Sequence, residues 1–238
     1  MSSAYIELQA LTAFSFREGA SLPEEIARRA AELGHAAVAV ADRNSLAGVV
    51  RAHMGAKRAD LRGIIGARLD LADGQSLLAY PEDRAAYGRL SRLITTGRRR
   101  APKGECELYP ADVLDYGDGL ILLVLAPPAL DADFARNLAD WRTALGDRVY
   151  LAASRALGGD DKARLSALAE LAIETGAPMV ATGDVLMHAP ERRVLADILS
   201  CIRLTCTVDE LGRNHQINGE RHLKSAAQML RLFEGHEH

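Results

Sequence analysis

The chain has 238 residues, 48% hydrophobic and 26% charged, and 29 Lys and Arg against 32 Asp and Glu leave a net charge of −3. This near-average composition excludes wholesale disorder and a collagen-like chain, and the length suits one or two domains or a single α/β barrel. A protein whose main work is gripping a phosphate backbone is more often basic.

In chain order, Tyr5–Leu11 alternates weakly and reads as a strand. Ser21-Leu-Pro-Glu-Glu25 offers a capping hydroxyl, an early proline and early carboxylates, which start a helix. Ile26, Ala30 and Leu33 recur at helical spacing, and Gly34 closes the helix. Ala36–Ala41 is an unbroken apolar run suited to a parallel strand buried on both faces. Asp42–Ser45 ends that strand and is expected to cap a helix reaching about residue 58. Strands follow over Gly63–Leu71 and Gln75–Tyr80, then a helix from about Asp83 to Thr96.

The apolar run Gly119–Pro128 is too short to span a bilayer and contains a buried strand at Leu120–Leu125. A helix over Asp133–Leu145, a strand at Arg148–Ala153, a helix over Lys162–Thr175 and a strand at Met179–Val185 come next. Helices near 190–203 and 224–234 finish the chain. Repeated βα units with about seven strands favour a parallel α/β architecture, either a barrel or a doubly wound sheet, in one domain. Ligands in both architectures sit at the carboxyl ends of the strands. The positions that matter are therefore Gln9–Leu11, Asp42–Arg43, Arg68 and Gly183–His188.

The N-terminus lacks a basic patch followed by an apolar stretch, so secretion is not expected. Three cysteines, an odd number, argue against a disulfide framework and fit a reducing cytoplasm. Alanine supplies 41 residues and arginine 25 of the 29 cations. The alanines favour helices laid closely on a sheet.

Asp42 and Asp184 follow apolar strands, where a metal site or an acid/base pair would be built. A catalytic metal needs several converging His or carboxylate ligands. Around these aspartates stand Gln9, Leu11, Arg43, Arg68 and Leu186, and guanidinium cannot ligate a cation. The plainer alternative is that Asp42 caps the helix entered at Ser45 and Asp184 pairs with a cation. Of the seven histidines only His188 lies beside a strand end, and His236 and His238 sit in a polar tail. Cys201 and Cys206 lack the paired spacing of a zinc site and read as buried thiols. Cys106 has no base beside it in sequence. The run Arg98-Arg-Arg-Ala-Pro-Lys103 reads as a loop, either solvated or placed to grip phosphate or an acidic surface. No P-loop, nucleophile-elbow or dinucleotide motif occurs.

Several stretches resemble the bacterial DNA polymerase III alpha subunit: Ala4–Gln9, Phe14–Glu25, Ala39–Gly48 and Ile64-Ile-Gly66. Tyr87–Glu105, Val180–Val185 and Arg192–Arg203 are closer to its error-prone, damage-tolerant paralogue, and Arg221–Met229 extends the match. The resemblance covers essentially the whole chain and implies the N-terminal PHP (polymerase and histidinol phosphatase) domain, a distorted seven-stranded β/α barrel. Active members are similar to metal-dependent phosphoesterases. They hold two or three metal ions on about nine His, Asp, Glu or Cys ligands, and some supply a 3′–5′ proofreading activity.

Carried over position by position, the family's ligands fall here on Gln9 and Leu11, Asp42 and Arg43, Arg68, Arg98 or Arg99, Ala156, and Asp184 and Leu186. Only the two aspartates keep ligand chemistry. The resemblance therefore implies a non-catalytic PHP domain with a vestigial metal site and no cofactor. Arg43 and Arg68 are then expected to pair with Asp42 and Asp184. The alternative is a phosphoesterase or 3′–5′ exonuclease with one divalent metal (zinc, manganese or magnesium) on Asp42, Asp184 and His188.

The expected domain layout is a barrel over about 1–204, with 205–238 starting the connection to a polymerase core. The chain then represents an excised domain or a short gene product. The parent is expected to be a cytoplasmic DNA-directed polymerase of translesion synthesis and repair. Its thumb and palm would be partners in cis, together with accessory proteins of the translesion machinery. DNA contact would be weak or indirect, with no membrane, and Arg98, Arg99, Arg100 and Lys103 are candidate phosphate or partner contacts.

Overall fold

A computed structural model describes residues 5–212 and 215–236, so Ala4 of the first matching stretch and His238 lie outside it. Seven strands form one sheet in sequence order: β1 (Ile6–Ala10), β2 (Ala37–Arg43), β3 (Arg62–Asp70), β4 (Ser76–Pro81), β5 (Leu120–Leu125), β6 (Val149–Ser154) and β7 (Met179–Thr182). The helices are α1 (Pro23–Glu32), α2 (Val49–Arg58), α3 (Arg84–Arg100), α4 (Pro110–Tyr116), α5 (Ala132–Leu145), α6 (Asp161–Thr175), α7 (Arg193–Leu204) and α8 (Ala226–Leu232). The sheet curls until Leu11 N–H donates to Val185 O at 2.9 Å and Val185 N–H to Gln9 O at 2.7 Å, which nearly closes a barrel.

The expected parallel architecture holds except at one strand: β4 runs antiparallel to both β3 and β5. Only residues 71–75 separate β3 from β4, too few for the helical crossover that a parallel pair requires. Two further expectations change at helix starts. Leu22, not Ser21, is the N-cap of α1, and Glu25 accepts its backbone N–H at 2.8 Å. The second helix begins at Val49 with Gly48 as N-cap, so Asp42 and Ser45 do not cap it. The basic run is also recast, because α3 continues to Arg100 and carries Arg98–Arg100 in its last turn.

Side-chain alternation divides the sheet into two faces. Leu77, Ala79, Leu122, Val124, Leu151 and Ala153 pack outward against Leu90, Leu93, Leu138 and Leu168 of the helices. Ala39, Ala41, Leu78, Tyr80, Leu123 and Ala152 cluster with strand residues alone, and so fill the barrel axis. Gly66 belongs to this inner set, where an added Cβ would lie 2.4 Å from the Tyr80 ring. The segment after α7 returns to the barrel. Leu223 packs with Ala10, Val38 and Val185, and Met229 and Phe233 of the α8 region join the outer core.

Candidate functional site

The carboxyl ends of the parallel strands surround a cavity of about 470 Å³, lined in part by Gln9, Arg68, Ser76, Ser154, Arg164 and Asp184. Arg68 shares the inward parity of Ile64 and Gly66. Gln9 turns toward the mouth because an irregularity in the β1–β2 register falls between Glu7 and Ala10. Asp184, with φ 46° just after β7, presents its carboxylate there too.

The pairs formed at the mouth differ from the expected ones. Asp184 is bound by Gln9 Nε2 at 2.7 Å and by Arg221 Nη2 at 2.8 Å. Asp42 is 2% exposed and has no arginine partner among the described residues. Its oxygens accept from Thr12 N–H at 2.7 Å, Thr12 Oγ1 at 2.8 Å and Ser15 Oγ at 2.7 Å. Burial raises its pKa, and these hydrogen bonds oppose the rise.

Arg43 and Arg68 instead join a chain of charges across the mouth. Arg203 Nη1 lies 3.1 Å from Glu18 Oε1, and Arg43 Nη2 lies 3.0 Å from Glu18 Oε2. Arg43 Nη1 then meets Asp70 Oδ2 at 2.5 Å, and Arg68 Nε meets Asp70 Oδ1 at 2.8 Å. The reason is reach and register. Arg43 and Arg68 are direct partners in the β2–β3 ladder, and Asp70 lies two residues along β3 from Arg68. Glu18 arrives on the loop between β1 and α1. The sequence signalled neither carboxylate, since both follow from where the chain doubles back.

Two further positions expected from the resemblance serve apolar packing. Leu11 and Leu186 are buried in one cluster with Ala20, Met187 and Ala196. Ala156 offers only its carbonyl, which accepts from Asn218 Nδ2 at 2.7 Å. His188 is held away from both aspartates. Its Nδ1 lies 2.8 Å from Ser21 Oγ, and its backbone N–H donates to the same hydroxyl at 2.9 Å. Burial lowers its pKa, partly offset by Glu25.

The basic helix end divides its work. Arg98 donates to Asn44 O at 2.8 and 3.1 Å, at the rim of the mouth. Arg100 grips Asp112 with bonds of 2.7 and 2.9 Å. Arg99 faces an outer groove with Arg92 and Tyr116, away from the mouth. Arg99 and Lys103 are exposed and form none of the ion pairs among the described residues.

Sequence reasoning missed Glu7, which lies on β1 and is fully buried. It accepts from Tyr5 OH at 2.9 Å, Gln9 N–H at 2.8 Å and Gly183 N–H at 3.0 Å. Burial raises its pKa to about 7 against these three donors, and Asp184 adds to the rise. An added Cβ on Gly183 would lie 2.3 Å from Glu7 Oε2, so glycine is required for this approach.

The residues present do not fit a multinuclear metal centre. Neither leucine nor guanidinium can ligate a cation, and the oxygens of Asp42 and Asp184 are engaged by internal donors. Among the described residues, no group of three or more His, Cys, Asp or Glu converges to hold a metal.

A nearly closed seven-stranded barrel with helices between its strands places the chain in the β/α-barrel class. The fold is similar to a Bifidobacterium adolescentis protein described as a metal-dependent phosphoesterase, with TM-score 0.58 and 16% identity over 76% of this chain and 87% of that one. An amidohydrolase from Chromobacterium violaceum gives TM-score 0.56 and 16% identity, covering 77% and 88%. The PHP domain family model matches residues 7–163, and the chain belongs to that family. An error-prone DNA polymerase of Caulobacter vibrioides is 51% identical over 231 residues, 97% of this chain and 21% of that protein. Error-prone DNA polymerase 1 of Agrobacterium fabrum is 46% identical over 229 residues, 96% and 21%. The chain thus spans about a fifth of the length of these relatives. No helix among the described residues is long and apolar enough to cross a membrane.

Proposed function

We propose that this chain is a non-catalytic PHP domain of an error-prone DNA polymerase and acts as a structural and docking module. One observation carries the reading. The positions that bind metal in active relatives hold Gln9, Leu11, Arg43, Arg68, Ala156 and Leu186, and the two remaining aspartates spend their oxygens on Thr12, Ser15, Gln9 and Arg221. The parent would be a cytoplasmic polymerase of translesion synthesis and repair, with its thumb and palm as partners in cis. Accessory proteins of that machinery and, indirectly, DNA complete the partner set.

The outer face of α7 suits the docking role. Val194, Ile198 and Ile202 follow one another at one-turn spacing and are 67%, 41% and 54% exposed, although a twelve-residue helix at a barrel rim has ample polar alternatives. The occupant consistent with the relatives is the remaining four-fifths of the polymerase chain.

The test is elemental analysis of protein purified without chelator and offered zinc, manganese or magnesium, paired with phosphodiester and 3′-labelled DNA hydrolysis assays. Substoichiometric metal and no turnover are expected. Stoichiometric metal supporting turnover that Asp184→Ala abolishes would overturn the reading, in favour of a reduced phosphoesterase or exonuclease site on Asp42, Asp184 and His188.

A further inference from the structure

We propose that Cys201 and Cys206 are a redox modification site, closing to an intramolecular disulfide at the end of α7 under a peroxide-class oxidant. The backbone makes the pairing. Thr205 adopts the left-handed conformation (φ 55°, ψ 47°), and Cys206 N–H donates back to Cys201 O at 3.1 Å. This six-residue closure is of the Schellman kind, which frequently sets the side chains of its first and last residues against each other. Two thiols therefore occupy the positions where such helix ends ordinarily place two hydrophobic groups.

Burial, followed by the charge of Cys206, raises the pKa of Cys201. Cys201 is buried while Cys206 is half-buried. Both line a groove of about 460 Å³ with Ile198, Ile202, Val208 and Glu210, ample for a peroxide molecule. The accessible Cys206 is then the first to react. Its thiolate displaces hydroxide from hydrogen peroxide to give the sulfenic acid. The Cys201 sulfur attacks the Cys206 sulfur, the S–S bond forms, and the sulfenic oxygen leaves with the two protons as water. The two thiols lose two electrons in total and the peroxide gains them. Cys106 is the internal control. It packs against the outer core beside Gly97 and Leu108, on a different segment from α7.

The experiment treats the 238-residue chain with a small excess of hydrogen peroxide, then counts thiols and maps peptides without reduction. Three titratable thiols should fall to one, with Cys201 linked to Cys206 and Cys106 free. The rate should not depend on protein concentration, and dithiothreitol should restore all three. Cys106→Ser should leave the reaction intact, whereas Cys201→Ser and Cys206→Ser should each abolish it. Intermolecular disulfides, over-oxidised monothiols, or three thiols surviving in the folded chain while the urea-unfolded chain oxidises would each overturn the proposal.

Discussion

Gln9 Nε2 donates to Asp184 Oδ1 at 2.7 Å, and this hydrogen bond joins the ends of the first and last strands. Thr182 Oγ1 donates to Gln9 Oε1 at 2.7 Å, which fixes the amide in this orientation. The neutral amide adds no second charge beside the Asp184–Arg221 ion pair.

Replacing that amide by a carboxylate should therefore be costly in a pH-dependent way. Gln9→Glu would set a second anion against Asp184 inside a largely buried site, and one of the pair would have to hold a proton. We expect a loss of ~2–4 kcal/mol at pH 8 and a smaller one at pH 5. Urea denaturation at the two pH values measures it. An equal loss at both would mean that the amide serves packing alone.

Glu7 sets a second pH dependence. Its carboxyl is raised from an ordinary 4.5 to about 7, so between these values the folded chain holds a proton that the unfolded chain releases. Stability from this group is fully present below pH 4.5 and is lost as pH rises through 7, roughly 3 kcal/mol in all. Glu7→Gln keeps an acceptor for the Gly183 and Gln9 amides and removes the titration. The variant should flatten the stability profile between pH 4.5 and 7.5 and gain on the parent chain at pH 8. An unchanged slope would assign the pH dependence to other groups.

The two residues show how far the sequence could be read. The βα alternation and the family resemblance were legible, because each depends on local pattern or on residue type. Leu120–Leu125 appears as a strand with the bounds read from its apolar run. The partners were not legible. Glu18 and Arg221 are separated in sequence from the groups they neutralise, and Asp70, although two residues from Arg68, meets Arg43 only through the β2–β3 pairing. Glu7 escaped because a charged residue on a weakly alternating strand reads as solvent-facing until Gly183 and the tail cover it. The antiparallel β4 was hidden for another reason: strand direction follows from connection length, not from the strand's own residues.

The α7 face gives a prediction that separates folding from docking. Ile198 is 41% exposed in this chain, so Ile198→Asp should change its thermal midpoint little. In a full-length error-prone polymerase, the same substitution at the matched position should lower the midpoint or loosen the domain to limited proteolysis. Equal effects in both proteins would mean that the face packs within the domain, and no effect in either would leave the polymerase core on another face.

Leu11 and Leu186 give the sharpest test of the proposal that this site holds no metal. They are 2% and 4% exposed and touch only apolar neighbours in their cluster. Leu11→His together with Leu186→His places imidazoles at two positions where the resemblance sets ligands, inside a cluster of buried apolar side chains. We expect a cost of ~3–6 kcal/mol, from lost packing and unpaired polar groups together. Zinc should not recover it, because Arg43 and Arg68 still project at the mouth and Asp42 remains committed to Thr12 and Ser15. Thermal melts of the double variant with and without zinc decide the matter. A ligand present at a hundred times its dissociation constant stabilises by about 2.7 kcal/mol, a shift that such melts resolve. Recovery of that size would show that two leucines alone silence the site. No recovery would mean that the arginine chain and the hydroxyl-bound Asp42 exclude the metal as well.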